Sequence, residues 1–212
     1  MFTIKICGIT NLADALAAKQ LGADAIGLNF YARSLRHVTL QQAAEIVEAV
    51  AGSILCVGVF VNERPDLITS VRESCRLSMI QLHGNEQVEI LRDFDLDSCE
   101  IIKAIPWTNL HEVSEQANAW LEAGASKILL DAHAGRQFGG TGRVIDWSEA
   151  AKLVSLENYV LAGGLTPENV AAAIETSGIR AVDTASGVEN FPGKKDHALM
   201  RAFISNARHS FN

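Results

Sequence analysis

The sequence predicts an α/β protein folded as a single (β/α)8 barrel, and three observations carry that prediction. Short apolar runs rich in Ile, Val and Leu alternate with helical stretches along the whole chain. The runs are near-continuously apolar, the pattern of parallel strands covered by helices on both faces. Eight such strand–helix units fit into 212 residues, and eight close naturally into a barrel. A doubly wound open sheet usually carries fewer units, and no Gly-x-Gly-x-x-Gly follows the first run.

TIKICG is the first strand, with a helix over about 11–20. AIGLNF is the second, and TLQQAAEIVEAV then places apolar residues at helical spacing. ILCVGVFVN is the third, followed by a helix that Pro65 can start. MIQLHG is the fourth, with the shorter helical piece EQVEILRDF behind it. EIIKAIPW is the fifth, and its helix ends at Gly124. KILLDA, the sixth, leads into the Gly-rich loop AHAGRQFGGTG and then the helix DWSEAAKLV. NYVLAGG is the seventh, and the helix after it is expected to be capped by Thr166 with Pro167 in its first position. AVDTASG is the eighth, and a helix over roughly 196–208 closes the fold. No linker, low-complexity segment or charge block divides residues 1–212, so one domain is expected.

Composition narrows the function classes. The net charge is −7 with both signs dispersed, which argues against nucleic-acid and anionic-membrane partners. Cys7, Cys56, Cys75 and Cys99 lie far apart, without the paired spacing of a zinc site or redox dithiol. Lys5, Asp14 and Lys19 interrupt the first twenty residues, so neither a signal peptide nor a membrane span is expected. Free thiols in a reducing cytoplasm are the simplest reading.

In a barrel of this kind the reactive groups stand at the C-terminal ends of the strands. Those ends are Cys7, Asn29, Asn62, His83, Trp107, Asp131, Gly163 with Gly164, and Asp183 through Gly187. Among them only Cys7, His83, Asp131 and Asp183 are ionisable. Gly163 and Gly164 follow the seventh strand, and Ser186 and Gly187 follow the eighth. Glycines let backbone N–H groups approach a phosphate, and these two loops are the usual phosphate site of the fold. A thiol at Cys7 and a carboxylic acid at Asp131 can act as base and acid. The 132–142 loop suits a lid over the substrate. Arg36, in the loop after the second strand, can grip a carboxylate with two parallel hydrogen bonds. Cys56 lies mid-strand and reads as core. Lys5, Gln81 and Lys103 are polar residues inside strands and read as a network within the barrel.

Taken together, KICGIT, GLNFYARSLRHV, VGVFVN, IQLHGNE, KAIPW, LLDAHAGRQFGGTG, DW, LAGGLTPENV and VDTASGVENFPGKKD resemble the phosphoribosylanthranilate isomerases. The resemblance runs along nearly the whole chain, with about one motif per strand end. It implies an enzyme of tryptophan biosynthesis that needs no metal or other cofactor. Its substrate is N-(5-phosphoribosyl)anthranilate, and its product is 1-(2-carboxyphenylamino)-1-deoxyribulose 5-phosphate. It further implies Cys7 as base, Asp131 as acid and Arg36 as carboxylate ligand. Gly163, Gly164, Ser186 and Gly187 become the phosphate loops, with Asp183 nearby and His83 lining the pocket. The eighth-strand motif often carries two serines, and Ala185 replaces the first here, which removes a hydroxyl but not a backbone N–H. A carboxyl that must start protonated is expected to have a raised pKa. A monomer or homodimer acting on a small molecule is expected. The rival readings are another phosphosugar isomerase or epimerase on the same barrel, and a non-catalytic phosphosugar-binding protein.

Overall fold

The computed structural model describes residues 2–132 and 145–211. Eight parallel strands close into a barrel in chain order, the last pairing with the first. They are β1 (Ile4–Ile6), β2 (Ala25–Asn29), β3 (Leu55–Phe60), β4 (Met79–Leu82), β5 (Glu100–Pro106), β6 (Lys127–Asp131), β7 (Tyr159–Leu161) and β8 (Val182–Thr184). Around them lie α1 (Leu12–Leu21), α2 (Leu40–Val50), α3 (Pro65–Cys75), α4 (Leu110–Glu122), α5 (Trp147–Ala150), α6 (Val170–Ser177) and α7 (His197–Ser210). None of these helices is long and apolar enough to cross a membrane.

The apolar runs supply two cores because alternate strand residues face opposite ways. Ala25, Val57, Met79, Ile102, Leu129 and Val160 fill the barrel, with Phe2 among them. Their neighbours, such as Ile26, Ile80, Ile101, Ile128 and Leu161, pack outward against the helices. Several helices begin where the sequence supplies a cap. Asn11 accepts from the Asp14 N–H ahead of α1, and Thr39 forms a reciprocal cap with Gln42 ahead of α2. Pro65 opens α3 as expected.

Two local expectations change, one is refined and one pair of strands is new. The shorter helical piece after β4 is a 3-10 helix over Val88–Asp93. DWSEAAKLV forms only the single turn α5 before the chain turns away. α6 begins at Val170, not behind a Thr166 cap. Thr166 donates its backbone N–H to Asn169 Oδ1, so Pro167 sits in a turn that precedes the helix. After β8 the chain makes an antiparallel pair, β9 (Glu189–Phe191) with β10 (Lys194–Lys195), which no sequence pattern announced.

Lys103 also departs from expectation. It shares parity with Ile101 and Ile105 and therefore points away from the barrel interior. Its ammonium donates to Glu86 Oε2 at 2.5 Å and to the Gly84 carbonyl at 2.6 Å, and lies over the Trp120 ring. It anchors the loop after β4. Lys5 and Gln81 do point inward and are fully buried.

Candidate active site

A cleft opens at the C-terminal ends of the strands. The nine residues that the resemblance assigns to the site all line it, along with Asn29, Tyr31 and Ser34. Asn62 and Trp107, also strand-end residues, do not. The lid expectation for the 132–142 loop falls, beyond Ala132, outside the described residues.

Going round the rim, Asp131 ends β6, the glycine loops follow β7 and β8, Cys7 follows β1, and Arg36 follows β2. Cys7 continues the β1 register, its N–H donating to the Thr184 carbonyl at 2.8 Å. The β1–β2 pairing of Ile6 with Ile26 brings Cys7 abreast of Gly27. A Cβ on Gly27 would stand 2.6 Å from the Cys7 Sγ, so the thiol occupies space that only glycine leaves.

Beneath Cys7 lies an ion pair. Lys5 and Asp183 are register partners on β1 and β8, and the Lys5 ammonium stands 2.7 Å from Asp183 Oδ1. Burial pushes the Cys7 thiol above the ordinary cysteine value, with the Asp183 charge adding to it. Lys5, Lys195 and Arg36 pull the other way without cancelling it. Lys5 itself is disfavoured by burial, yet Asp183 and Cys7 hold its pKa above the ordinary lysine value.

Asp131 is positioned by a second chain of polar contacts. His83 Nε2 lies 3.1 Å from Asp131 Oδ2, and Gln81 Nε2 lies 2.7 Å from His83 Nδ1. An amide N–H donating to Nδ1 leaves the ring proton on Nε2, so His83 donates to the carboxyl. Gln81 lies in β4 and His83 just beyond its end with the same parity, which sets the amide next to the ring.

The two phosphate-loop candidates are packed against each other. Gly163 and Gly164 both have positive φ, 76° and 68°, a turn that side chains rarely adopt. A side chain on Gly187 would collide with the Leu165 carbonyl, so the second loop lies directly on the first. At Ala185 the backbone carbonyl accepts from the Lys195 ammonium at 2.9 Å, which fixes this loop without the missing hydroxyl.

Arg36 does not point freely at the cleft. Its Nε donates to Glu189 Oε1 at 2.9 Å and its Nη2 to Glu189 Oε2 at 2.6 Å. Burial works against the Glu189 carboxylate, but Arg36 and Lys195 hold its pKa below the ordinary glutamate value. Glu189 and Lys195 were not singled out from the sequence. Both lie in VENFPGKKD, where no strand period marks a buried charge. Among the described residues, no three His, Cys, Asp or Glu side chains converge on a cation site.

Residues 4–206 match the family described as N-(5'-phosphoribosyl)anthranilate (PRA) isomerase. An N-(5'-phosphoribosyl)anthranilate isomerase of Trichlorobacter lovleyi is 40% identical over 209 residues, covering 98% of each chain. The crystal structure of the phosphoribosyl anthranilate isomerase of Thermotoga maritima superposes with a TM-score of 0.87 at 39% identity, covering 99% of this chain and 100% of that one. A structure of such an isomerase in complex with reduced 1-(o-carboxyphenylamino)-1-deoxyribulose 5-phosphate superposes with a TM-score of 0.83 at 39% identity over the same shares.

Proposed function

Since the chain belongs to the N-(5'-phosphoribosyl)anthranilate isomerase family, we propose that Cys7 and Asp131 are the base and acid of its reaction. The protein is an isomerase of tryptophan biosynthesis. It converts N-(5-phosphoribosyl)anthranilate to 1-(2-carboxyphenylamino)-1-deoxyribulose 5-phosphate by an Amadori rearrangement. The observation that carries the residue roles is the order around the cleft. Acid candidate, phosphate-loop candidates, base candidate and arginine follow one another from β6 round to β2.

In this reading the phosphate binds the turns at Gly163, Gly164, Ser186 and Gly187. The anthranilate carboxylate binds Arg36. Holding the substrate by its two ends fixes the ribose between Cys7 and Asp131, so remote binding energy supports the reacting centre. Asp131, protonated on Oδ1 while Oδ2 accepts from His83, gives its proton to the ring oxygen as the C1–O bond breaks. The nitrogen lone pair forms the Schiff base. The Cys7 thiolate then removes the proton from C2, and the released electron pair neutralises the iminium as an enolamine. Transfer of the enol proton's equivalent to C1 gives the ketone. One proton leaves Asp131 and one arrives at Cys7, so solvent exchange restores both groups with no net change. Asp183 acts from beneath by holding the Lys5 cation near the thiolate.

The cytoplasm, with the four cysteines free, and a monomer or homodimer complete the proposal, with neither nucleic acid nor membrane as partner. The test is product identity. Proton NMR of the wild-type reaction is expected to show a new methylene at the former C1. A C1 that stays a single C–H would overturn the Amadori assignment.

A further inference from the structure

We propose that Glu189 is the positioning residue of the carboxylate site, setting which edge of the Arg36 guanidinium faces the substrate. This rests on the reading of Arg36 as the carboxylate ligand and adds the residue that aims it.

The geometry is specific. Guanidinium has two edges able to hold a carboxylate, one made by Nε and Nη2 and one made by Nη1 and Nη2. Glu189 occupies the first, with Nε at 2.9 Å from Oε1 and 3.2 Å from Oε2 and Nη2 at 2.6 Å from Oε2. A substrate carboxylate can therefore be gripped in parallel only by the Nη1–Nη2 edge. Glu189 is not a loose partner that a ligand would displace. Its side chain is only 4% exposed. Its Oε1 also accepts from the Lys195 ammonium at 2.9 Å and from the Gly193 N–H at 3.3 Å. Displacing it would strand a buried carboxylate and the buried Lys195 together, a costly exchange. Because Lys195 also donates to the Ala185 carbonyl at 2.9 Å, the same carboxylate joins the arginine to the loop after β8. The arginine is thus aimed by an element 153 residues away in sequence.

The test uses two non-reacting ligands, the reduced product analogue and its counterpart lacking the ring carboxylate. Affinity for both is measured in wild type, Glu189→Gln, Arg36→Ala and the double variant. Glu189→Gln is expected to weaken the carboxylate ligand by about tenfold or more while shifting its counterpart less than about twofold. It is expected to add nothing further in the Arg36→Ala background. Equal weakening of both ligands, or an undiminished penalty in that background, would overturn the inference. If Arg36→Ala loses discrimination and Glu189→Gln keeps it, only the role of Glu189 fails. If Arg36→Ala keeps discrimination, the carboxylate reading of Arg36 fails with it. A second measurement needs no variant. The Arg36 Nε–H is expected to stay protected from exchange when wild type is saturated with the carboxylate ligand. Loss of that protection would mean the ligand displaces Glu189, and would also overturn the inference.

Discussion

Lys5 on β1 and Asp183 on β8 are register partners across the seam that closes the barrel, and their side chains meet at 2.7 Å beneath Cys7. Lys5 is wholly buried and Asp183 nearly so. Removing one member leaves the other charged and unpaired in the interior, and that is the expensive event. Lys5→Met is expected to lower stability by about 3–5 kcal/mol. Lys5→Met combined with Asp183→Asn is expected to recover much of the loss. Urea unfolding of the two variants checks this, and additive losses would contradict it.

The same lysine sets the ionisation of the proposed base. Burial raises the Cys7 pKa, and Lys5 is the strongest of the cations opposing that rise. In the free protein the thiol is therefore expected to ionise above the ordinary cysteine value. The rate of Cys7 alkylation should climb through the alkaline range, and Lys5→Met should move that limb to still higher pH. An unchanged or lowered midpoint in the variant would contradict the electrostatic assignment. Cys56, buried in β3 and pushed up to about 12, should not react alongside it.

Gly27 owes its place to the thiol opposite. Gly27→Ala is expected to push Cys7 out of position and cost at least about tenfold in turnover. Overpacking there should cost about 1–3 kcal/mol of stability. Wild-type kinetics in the folded variant would mean the thiol has room to move.

Acid stability is expected to depend on Asp14. It is fully buried, and its oxygens take the Lys195 N–H at 3.0 Å and His197 Nε2 at 2.8 Å, tying α1 to β10 and to the start of α7. Burial opposes ionisation, but the Lys195 N–H, His197 and Asn11 more than offset it and depress the pKa. A depressed carboxylate stabilises the fold above its unfolded-state value, and the contribution disappears as pH falls through the folded value. Stability should therefore drop below about pH 4, and Asp14→Asn should flatten that drop. Equal acid sensitivity in the variant, followed by urea unfolding across pH, would contradict the role.

Much of the barrel is legible in the sequence because strands buried on both faces cannot hide their apolar runs. Strand ends are legible for the same reason. Asp131 and His83 stand out as polar residues directly after such runs. What was not legible is partnership. Lys103 sits in an apolar run like Lys5, and only the strand's parity sends it outward to Glu86 and Trp120. Glu189 lies 153 residues from Arg36, and nothing local to either marks the pairing. The delayed start of α6 reflects Asn169, whose side chain closes the turn that Thr166 was expected to cap.

The central claim is that Cys7 and Asp131 form the acid–base pair. The most direct measurement generates phosphoribosylanthranilate in situ and follows the loss of its fluorescence in wild type, Cys7→Ser and Asp131→Asn. Fast turnover in wild type is predicted, with both variants slowed by about a hundredfold or more while still binding the reduced product analogue. Variants that turn over at wild-type rate would contradict the claim and leave Cys7 a structural thiol.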